Sequence, residues 1–170
     1  MSERKRLLDL VDRAYKARAW HGPALLETLK GVTPALAAKH LARGAHSIWE
    51  LVEHVASWNE FVAQRLMGRT PVITQERNFP KVPKPTPAAW KASLRRLARS
   101  QAQFRRAVAA FPVAKLGLRR PKTDQTWNVL INGQIQHGLY HAGQIALLRR
   151  ALGKPVKQWS LGARVTRSPG

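Results

Sequence analysis

Residues 126–153 read TWNVLINGQIQHGLYHAGQIALLRRALG, and this stretch is the longest helical pattern in the chain. We expect one helix from about Thr126 to Leu152. Gly153 follows at its C-terminal end and Pro155 lies just beyond, which is how helices commonly stop. The fold class therefore depends on how many other segments share this helical pattern.

A second long helix is predicted in HSIWELVEHVASWNEFVAQRL, residues 46–66. Ser47 is a plausible N-cap, and Glu50 stands three residues later, which is the capping-box spacing. Gly68 ends the segment. Its apolar residues recur every three or four positions, as expected for one buried side: Ile48, Leu51, Val52, Val55, Trp58, Phe61, Val62 and Leu66.

Two further long helices are predicted on either side of this one. The first runs from about Ser2 to Ala19, and the third begins after Thr86 and stops at Pro112. Residues 68–87 contain five prolines and form a long crossover connection that is too proline-rich for a helix. We therefore predict an all-α four-helix bundle, with the crossover between the second and third long helices and at least one parallel pair. Residues 1–160 form a single domain, and 161–170 a flexible tail.

The composition excludes several kinds of site and compartment. The chain has 170 residues and no cysteine, so it has no disulfide and no thiolate metal ligand, and a metal site must use His, Asp or Glu. Its apolar stretches are shorter than the ~20 residues that span a bilayer. The basic N-terminus lacks an apolar signal core. We expect a cytoplasmic protein without a membrane partner.

The charge balance leaves two interpretations open. Thirty Lys and Arg residues against nine Asp and Glu residues give a formal net charge of +21. Such a charge favours polyanions or attracts anionic ligands, but it also fits solvated faces that simply carry arginine. In RRLARSQAQFRR, residues 95–106, Arg95, Arg99 and Arg106 share one side of the third helix. A nucleic-acid-binding helical protein is thus an alternative, although no helix-turn-helix spacing or base-stacking motif is evident.

Histidines are the candidate metal ligands. His137 and His141 are four residues apart, so a helix places both imidazoles on one side, where they could reach one metal ion. Two solvated or capped histidines fit the same spacing. Gly138 stands where the zincin motif has its glutamate, which argues against metalloprotease chemistry. His54 lies in an apolar stretch of the second helix and is either a core histidine or a third ligand that converges with the pair inside the bundle.

Other residues could serve such a site or merely the fold. Glu50 could face it or cap its helix, and Gln134 and Gln144 could orient ligands or substrate. Gly138 could leave room for a substrate, whereas Gly133 is better explained by close packing between helices. Trp58 could wall the pocket, and His46 is a second-layer or surface residue.

Two segments, 46–66 and 133–153, resemble the DinB/YfiT-like superfamily of metal-dependent enzymes, and residues 19–54 resemble one of its subgroups. The resemblance rests on three elements in order: the second-helix histidine, the H-x-x-x-H, and the G-Q-I followed by L-R and Gly. It implies a four-helix bundle with a divalent metal, usually zinc or nickel, held by His54, His137 and His141.

The resemblance also implies a range of activities. Characterised members include transferases that use bacillithiol or mycothiol, thiol-dependent isomerases and some hydrolases, and members often form dimers. We therefore expect a metal-dependent enzyme for a small-molecule substrate, either a transferase using a low-molecular-weight thiol or a hydrolase, and a homodimer. The alternative is a basic helical nucleic-acid-binding or interaction protein without catalytic activity.

Overall fold

The computed structural model describes residues 1–16 and 18–156, and their regular structure is helical apart from one isolated β-bridge between Arg119 and Thr126. The expected all-α class is confirmed. Within the described ranges there are seven α-helices: α1 (Glu3–Tyr15), α2 (Leu25–Leu29), α3 (Pro34–Ala37), α4 (Ile48–Leu66), α5 (Gln75–Asn78), α6 (Pro87–Ala110) and α7 (Trp127–Ala151).

The four longest helices pack as a bundle in which α4 contacts α6 and α7, and α1 contacts the same two helices. Hydrogen bonds give the direction of α4 relative to α6: Trp49 Nε1 donates to Ser93 Oγ (2.8 Å), and Asn59 Nδ2 donates to Gln101 Oε1 (3.1 Å). Residue numbers rise together on both helices, so α4 and α6 are parallel. The crossover between the second and third long helices is confirmed.

Side-chain caps start the long helices where the sequence predicts. Ser47 Oγ accepts from the amide of Glu50 (3.2 Å), and Glu50 Oε2 accepts from the amide of Ser47 (2.6 Å), which completes the capping box. Thr86 and Thr126 cap α6 and α7 with their side-chain oxygens, which accept from the amides of Ala89 and Val129. These caps fix where α4 and α7 begin, and hence where their histidines lie.

Two helix predictions were wrong in detail. The first helix ends at Tyr15 rather than near Ala19, because the backbone reaches a left-handed conformation at Arg18 (φ +61°). The crossover also contains one helical turn, α5, although we expected none there. The turn forms between Pro71 and Pro80, where no proline interrupts it, and Thr74 Oγ1 caps it by accepting from the amide of Arg77 (3.3 Å).

The core consists of two apolar clusters with a polar layer between them. One cluster surrounds Trp49 and the other surrounds Phe104, and both residues are fully buried. Between them along α4 lies Asn59, which accepts from Gln134 Nε2 (2.8 Å) on α7 and donates to side chains on α6. A polar layer of this kind is stable when its groups are paired, as these are.

The predicted flexible tail, 161–170, lies outside the described residues, so the 1–160 boundary stays a prediction. None of the helices in the described ranges has the length and apolar content that crossing a membrane requires.

Candidate metal centre

Three imidazoles from two helices meet beside the polar layer. The Nε2 atom of His137 is 3.0 Å from Nε2 of His54 and 2.9 Å from Nε2 of His141. The three residues form one cluster whose ligand atoms all lie within 4.8 Å of one another, and His54 and His141 are buried. The histidine pair on α7 therefore converges with His54 on α4. The three are not separate solvated, capping or core histidines.

The far side of two rings is held by the protein. His54 Nδ1 donates to the backbone oxygen of Asn78 (2.7 Å), and His141 Nδ1 donates to Gln144 Oε1 (2.6 Å). A neutral imidazole carries one N–H, so a proton on Nδ1 leaves a lone pair on Nε2. Both lone pairs therefore point towards His137, and such bonds to the outer nitrogen are the usual way of orienting metal-binding histidines.

His137 cannot satisfy this arrangement by hydrogen bonding. Its Nδ1 is buried and has no hydrogen-bond partner in the described part of the chain, while its Nε2 faces two other Nε2 atoms. A single N–H at Nε2 would leave one neighbouring lone pair without a donor. Two nitrogens bound to one zinc ion at about 2.0–2.1 Å lie about 3.3 Å apart at the tetrahedral angle, close to the spacing seen here. The donor set fits a divalent cation.

Burial keeps the three rings neutral. Desolvation, together with the smaller effects of the neighbouring His141 and His54, lowers the pKa of His137 to about 3. Desolvation likewise lowers the pKa of His141 to about 4, against the opposing effect of the Gln144 hydrogen bond. The pKa of His54 is also lowered, mainly by burial. Neutral imidazoles are the form that binds metal ions.

These shifts predict how the metal-free protein responds to acid. The unfolded chain takes up protons near the ordinary histidine pKa of about 6.5, whereas the folded chain does not, so the free energy of unfolding falls as the pH decreases. Between pH 7.5 and 5.5 we expect a loss of about 1.4 kcal/mol for each of His137 and His141. Urea unfolding of chelator-treated protein at the two pH values measures it. Equal midpoints at both pH values would contradict the expectation.

A sequence profile of the DinB superfamily matches residues 18–145, which is most of the chain. The chain belongs to the DinB superfamily. No curated protein and no solved structure shows significant similarity to it.

In this DinB superfamily member, the crossover closes one side of the histidine cluster. The ring of Phe79 stacks on His54 (4.1 Å between centroids) and, on its other face, on His46 (3.9 Å). Trp58 lies 5.7 Å from the His137 ring and donates from Nε1 to Asn78 Oδ1 (2.9 Å). The expectation that Trp58 walls the site is thus supported, and His46 lies in a second layer.

Sequence reasoning missed Asn78 and Phe79. Asn78 is the last residue of α5 and Phe79 comes directly after it. They lie in the irregular crossover, where no periodicity in the sequence indicates which way a side chain points. The one available signal is that an aromatic residue and an amide interrupt a proline-rich stretch, which is too weak to assign a role.

Several residues suggested for the site of this DinB protein serve the fold instead. Glu50 caps α4 and accepts from His40 Nε2 (2.9 Å). Glu53, which directly precedes His54 in the sequence, pairs with Arg96 on α6. Gln134 donates to Asn59 and does not orient a ligand, whereas Gln144 does bond to His141 as proposed. Gly133 is exposed, and a Cβ added there would meet no heavy atom of the described chain within 4 Å, so Gly133 does not serve close packing between helices of this chain.

The arginines of α6 in this DinB protein divide into two groups. Arg96 and Arg105 form ion pairs with acidic residues of α4 and α1. Arg95, Arg99 and Arg106 are exposed, as the predicted stripe requires. Nucleic-acid binding through this stripe stays a prediction.

Proposed function

We propose that this protein is a metal-dependent enzyme whose divalent ion, zinc or nickel, is held by His54, His137 and His141. One observation carries the proposal. The Nε2 atom of His137 lies about 3 Å from the Nε2 atoms of both His54 and His141, while hydrogen bonds fix protons on the outer nitrogens of those two rings. If the three rings carried only protons, at least one Nε2 lone pair would have no hydrogen-bond donor. One cation could bind the Nε2 lone pairs of all three rings.

The bound ion would supply a Lewis acid that lowers the pKa of a coordinated thiol or water. The chain's own residues orient and shield it: Gln144 and the Asn78 carbonyl hold the rings, and Phe79 covers one side. The cluster contains no carboxylate, and Glu50 and Glu53 are engaged elsewhere. A coordinated thiol or a coordinated water could each lose its proton to solvent without a protein base, so the site is compatible with a thiol-dependent transferase and with a hydrolase.

The proposal is tested by metal analysis followed by an activity screen. Untagged protein should retain about one zinc or nickel ion per chain, and a chelator should remove it. The metal-loaded protein is then offered low-molecular-weight thiols with an electrophile, and carboxylic esters in parallel. Metal-dependent thiol consumption supports the transferase, ester cleavage alone supports the hydrolase, and failure to bind zinc or nickel would refute the metal site itself.

We further propose that the protein forms a homodimer through the outer side of α7. Exposed residues recur there at intervals of three and four: Val129, Gly133, Gln136, Tyr140, Gly143 and Leu147. Tyr140 is 65% exposed and Leu147 is 67% exposed. A Cβ added at Gly133 or Gly143 would meet no heavy atom of the described residues within 4 Å, so the open space beside these glycines lies on the outer surface of α7. Such a stripe allows two copies of the helix to approach closely, which would explain why glycine is used at positions where alanine favours a helix more.

This proposal predicts the effect of a charge on the stripe. Leu147→Glu should weaken dimerisation at least about tenfold, because a buried carboxylate would lie opposite its own copy. Leu41→Glu, at another exposed leucine away from α7, is the control and should leave the dimer intact. Sedimentation over a concentration series measures both variants. A monomeric wild-type protein, or equal association of the two variants, would contradict it.

A further inference from the structure

A cavity of about 570 Å³ lies where the C-terminal end of α4 faces the loop that leads into α7. Arg65 and Arg69 line it from the α4 side, and Arg120 and Lys122 line it from the loop. We call this cavity the basic pocket. Its volume falls within the range of roughly 300–1,000 Å³ that is typical of small-molecule sites.

The cations of the basic pocket are not neutralised by the protein. In the described ranges, none of the four forms an ion pair with a carboxylate. Arg120 Nη2 donates to the amide oxygen of Gln125 (2.7 Å), which positions the guanidinium without cancelling its charge. The Nε atoms of Arg65 and Arg120 are buried and have no hydrogen-bond acceptor among the described residues. Buried donors of this kind are normally paired, so both guanidinium groups retain unused binding capacity.

Helix electrostatics explain only one side of the pocket. Cations at the C-terminal end of α4 are favoured by the helix dipole, and Arg65 also lies over the ring of Phe61 (5.1 Å). Arg120 and Lys122 have no such reason to face them. Burial lowers the pKa of Arg120, and the charge of Arg65 lowers it further, with partial compensation from Asp124. The fold therefore holds like charges together, an arrangement that an anion would relieve.

The shape and walls of the pocket indicate the kind of anion. A concave pocket with Trp127, Pro71 and Val72 in its wall offers apolar contact beside the guanidinium groups, unlike a flat stripe for a polyanion. The first amides of α7 are already paired, since those of Trp127 and Asn128 donate to the carbonyls of Leu118 (3.2 Å) and Leu116 (2.9 Å). Side chains rather than backbone amides would hold the anion.

We propose that the basic pocket binds the phosphate group of a small phosphomonoester whose apolar part lies against Trp127. Guanidinium forks match phosphate oxygens in geometry and charge. The site is separate from the histidine cluster: Arg65 follows His54 by eleven residues of α4, or about 16 Å at 1.5 Å per residue. The proposal does not depend on a bound metal.

Calorimetric titration of the chelator-treated protein with phenyl phosphate tests it, with inorganic phosphate and phenol as comparison ligands at constant ionic strength. Phenyl phosphate should bind at least about tenfold more tightly than inorganic phosphate, because it adds contact with the apolar wall. Arg120→Gln should weaken binding at least about tenfold, and Lys122→Gln, on the exposed loop where the fold is not at risk, should weaken it several-fold.

Arg99→Gln is the matched control, since Arg99 is an exposed arginine on α6 and its loss changes the net charge equally. It should leave phenyl phosphate binding unchanged. Equal weakening by Arg99→Gln and Arg120→Gln, or no binding of phenyl phosphate, would overturn the proposal. A short DNA duplex that binds and is affected equally by both variants would instead assign the charge to a surface polyanion. Because the titrations use chelator-treated protein, their outcome does not depend on whether the histidine cluster binds a metal ion.

Discussion

His141→Ala is expected to lower the affinity for zinc or nickel at least about a hundredfold, which corresponds to about 2.7 kcal/mol at 25 °C. His141 supplies one of three converging Nε2 atoms, and alanine would leave an ion with only two protein ligands. His54→Ala should have the same effect, because its Nε2 contacts the same central ring. Competition with a chromogenic chelator measures the affinities.

The supporting residue should give a smaller, graded effect. Gln144→Ala removes only the bond to the outer nitrogen of His141 and is expected to weaken metal binding about 10- to 100-fold. His21→Ala is the control, since His21 is exposed and outside the cluster. Full metal retention by both His54→Ala and His141→Ala would contradict the ligand assignment. Equal losses in the His21→Ala variant would indicate adventitious binding to surface histidines.

Features that depend on a few neighbouring residues could be predicted from the sequence. The start of α4 follows from Ser47 and Glu50, which bond to each other's backbone within one turn. The relation of His137 to His141 follows from helix periodicity alone. The family resemblance then supplied what periodicity could not, namely that His54 belongs with this pair.

Features that depend on contacts between distant segments could not be predicted. Asn78 and Phe79 reach His54 only because the crossover folds back over α4, and nothing in the local sequence specifies that path. The basic pocket likewise arises when the end of α4 meets a loop more than fifty residues later. In the sequence, its arginines were indistinguishable from the others that contribute to the net charge.

The same limit applies to Arg96, which the sequence placed among the arginines of the third helix. In the structure it lies between α6 and α4, where its guanidinium bonds to Glu53, to Glu60 (2.8 Å) and to Ser57 Oγ (3.1 Å). Burial would lower the pKa of Arg96, but the hydrogen bonds and charges of Glu60 and Glu53 outweigh it and raise that pKa. One side chain therefore ties the parallel pair of helices together.

Arg96→Met is expected to destabilise the fold by about 3–5 kcal/mol, because it leaves the buried carboxylate of Glu53 without a partner. Arg95→Met, at the exposed neighbour, should stay within about 0.5 kcal/mol of the wild type. Urea unfolding of both variants gives the comparison. The triple variant Arg96→Met, Glu53→Gln and Glu60→Gln should recover part of the loss, since no unpaired charge remains. If Arg96→Met unfolds at the wild-type midpoint, the ion pairs do not hold α4 against α6, and apolar packing around Trp49 is sufficient to align them.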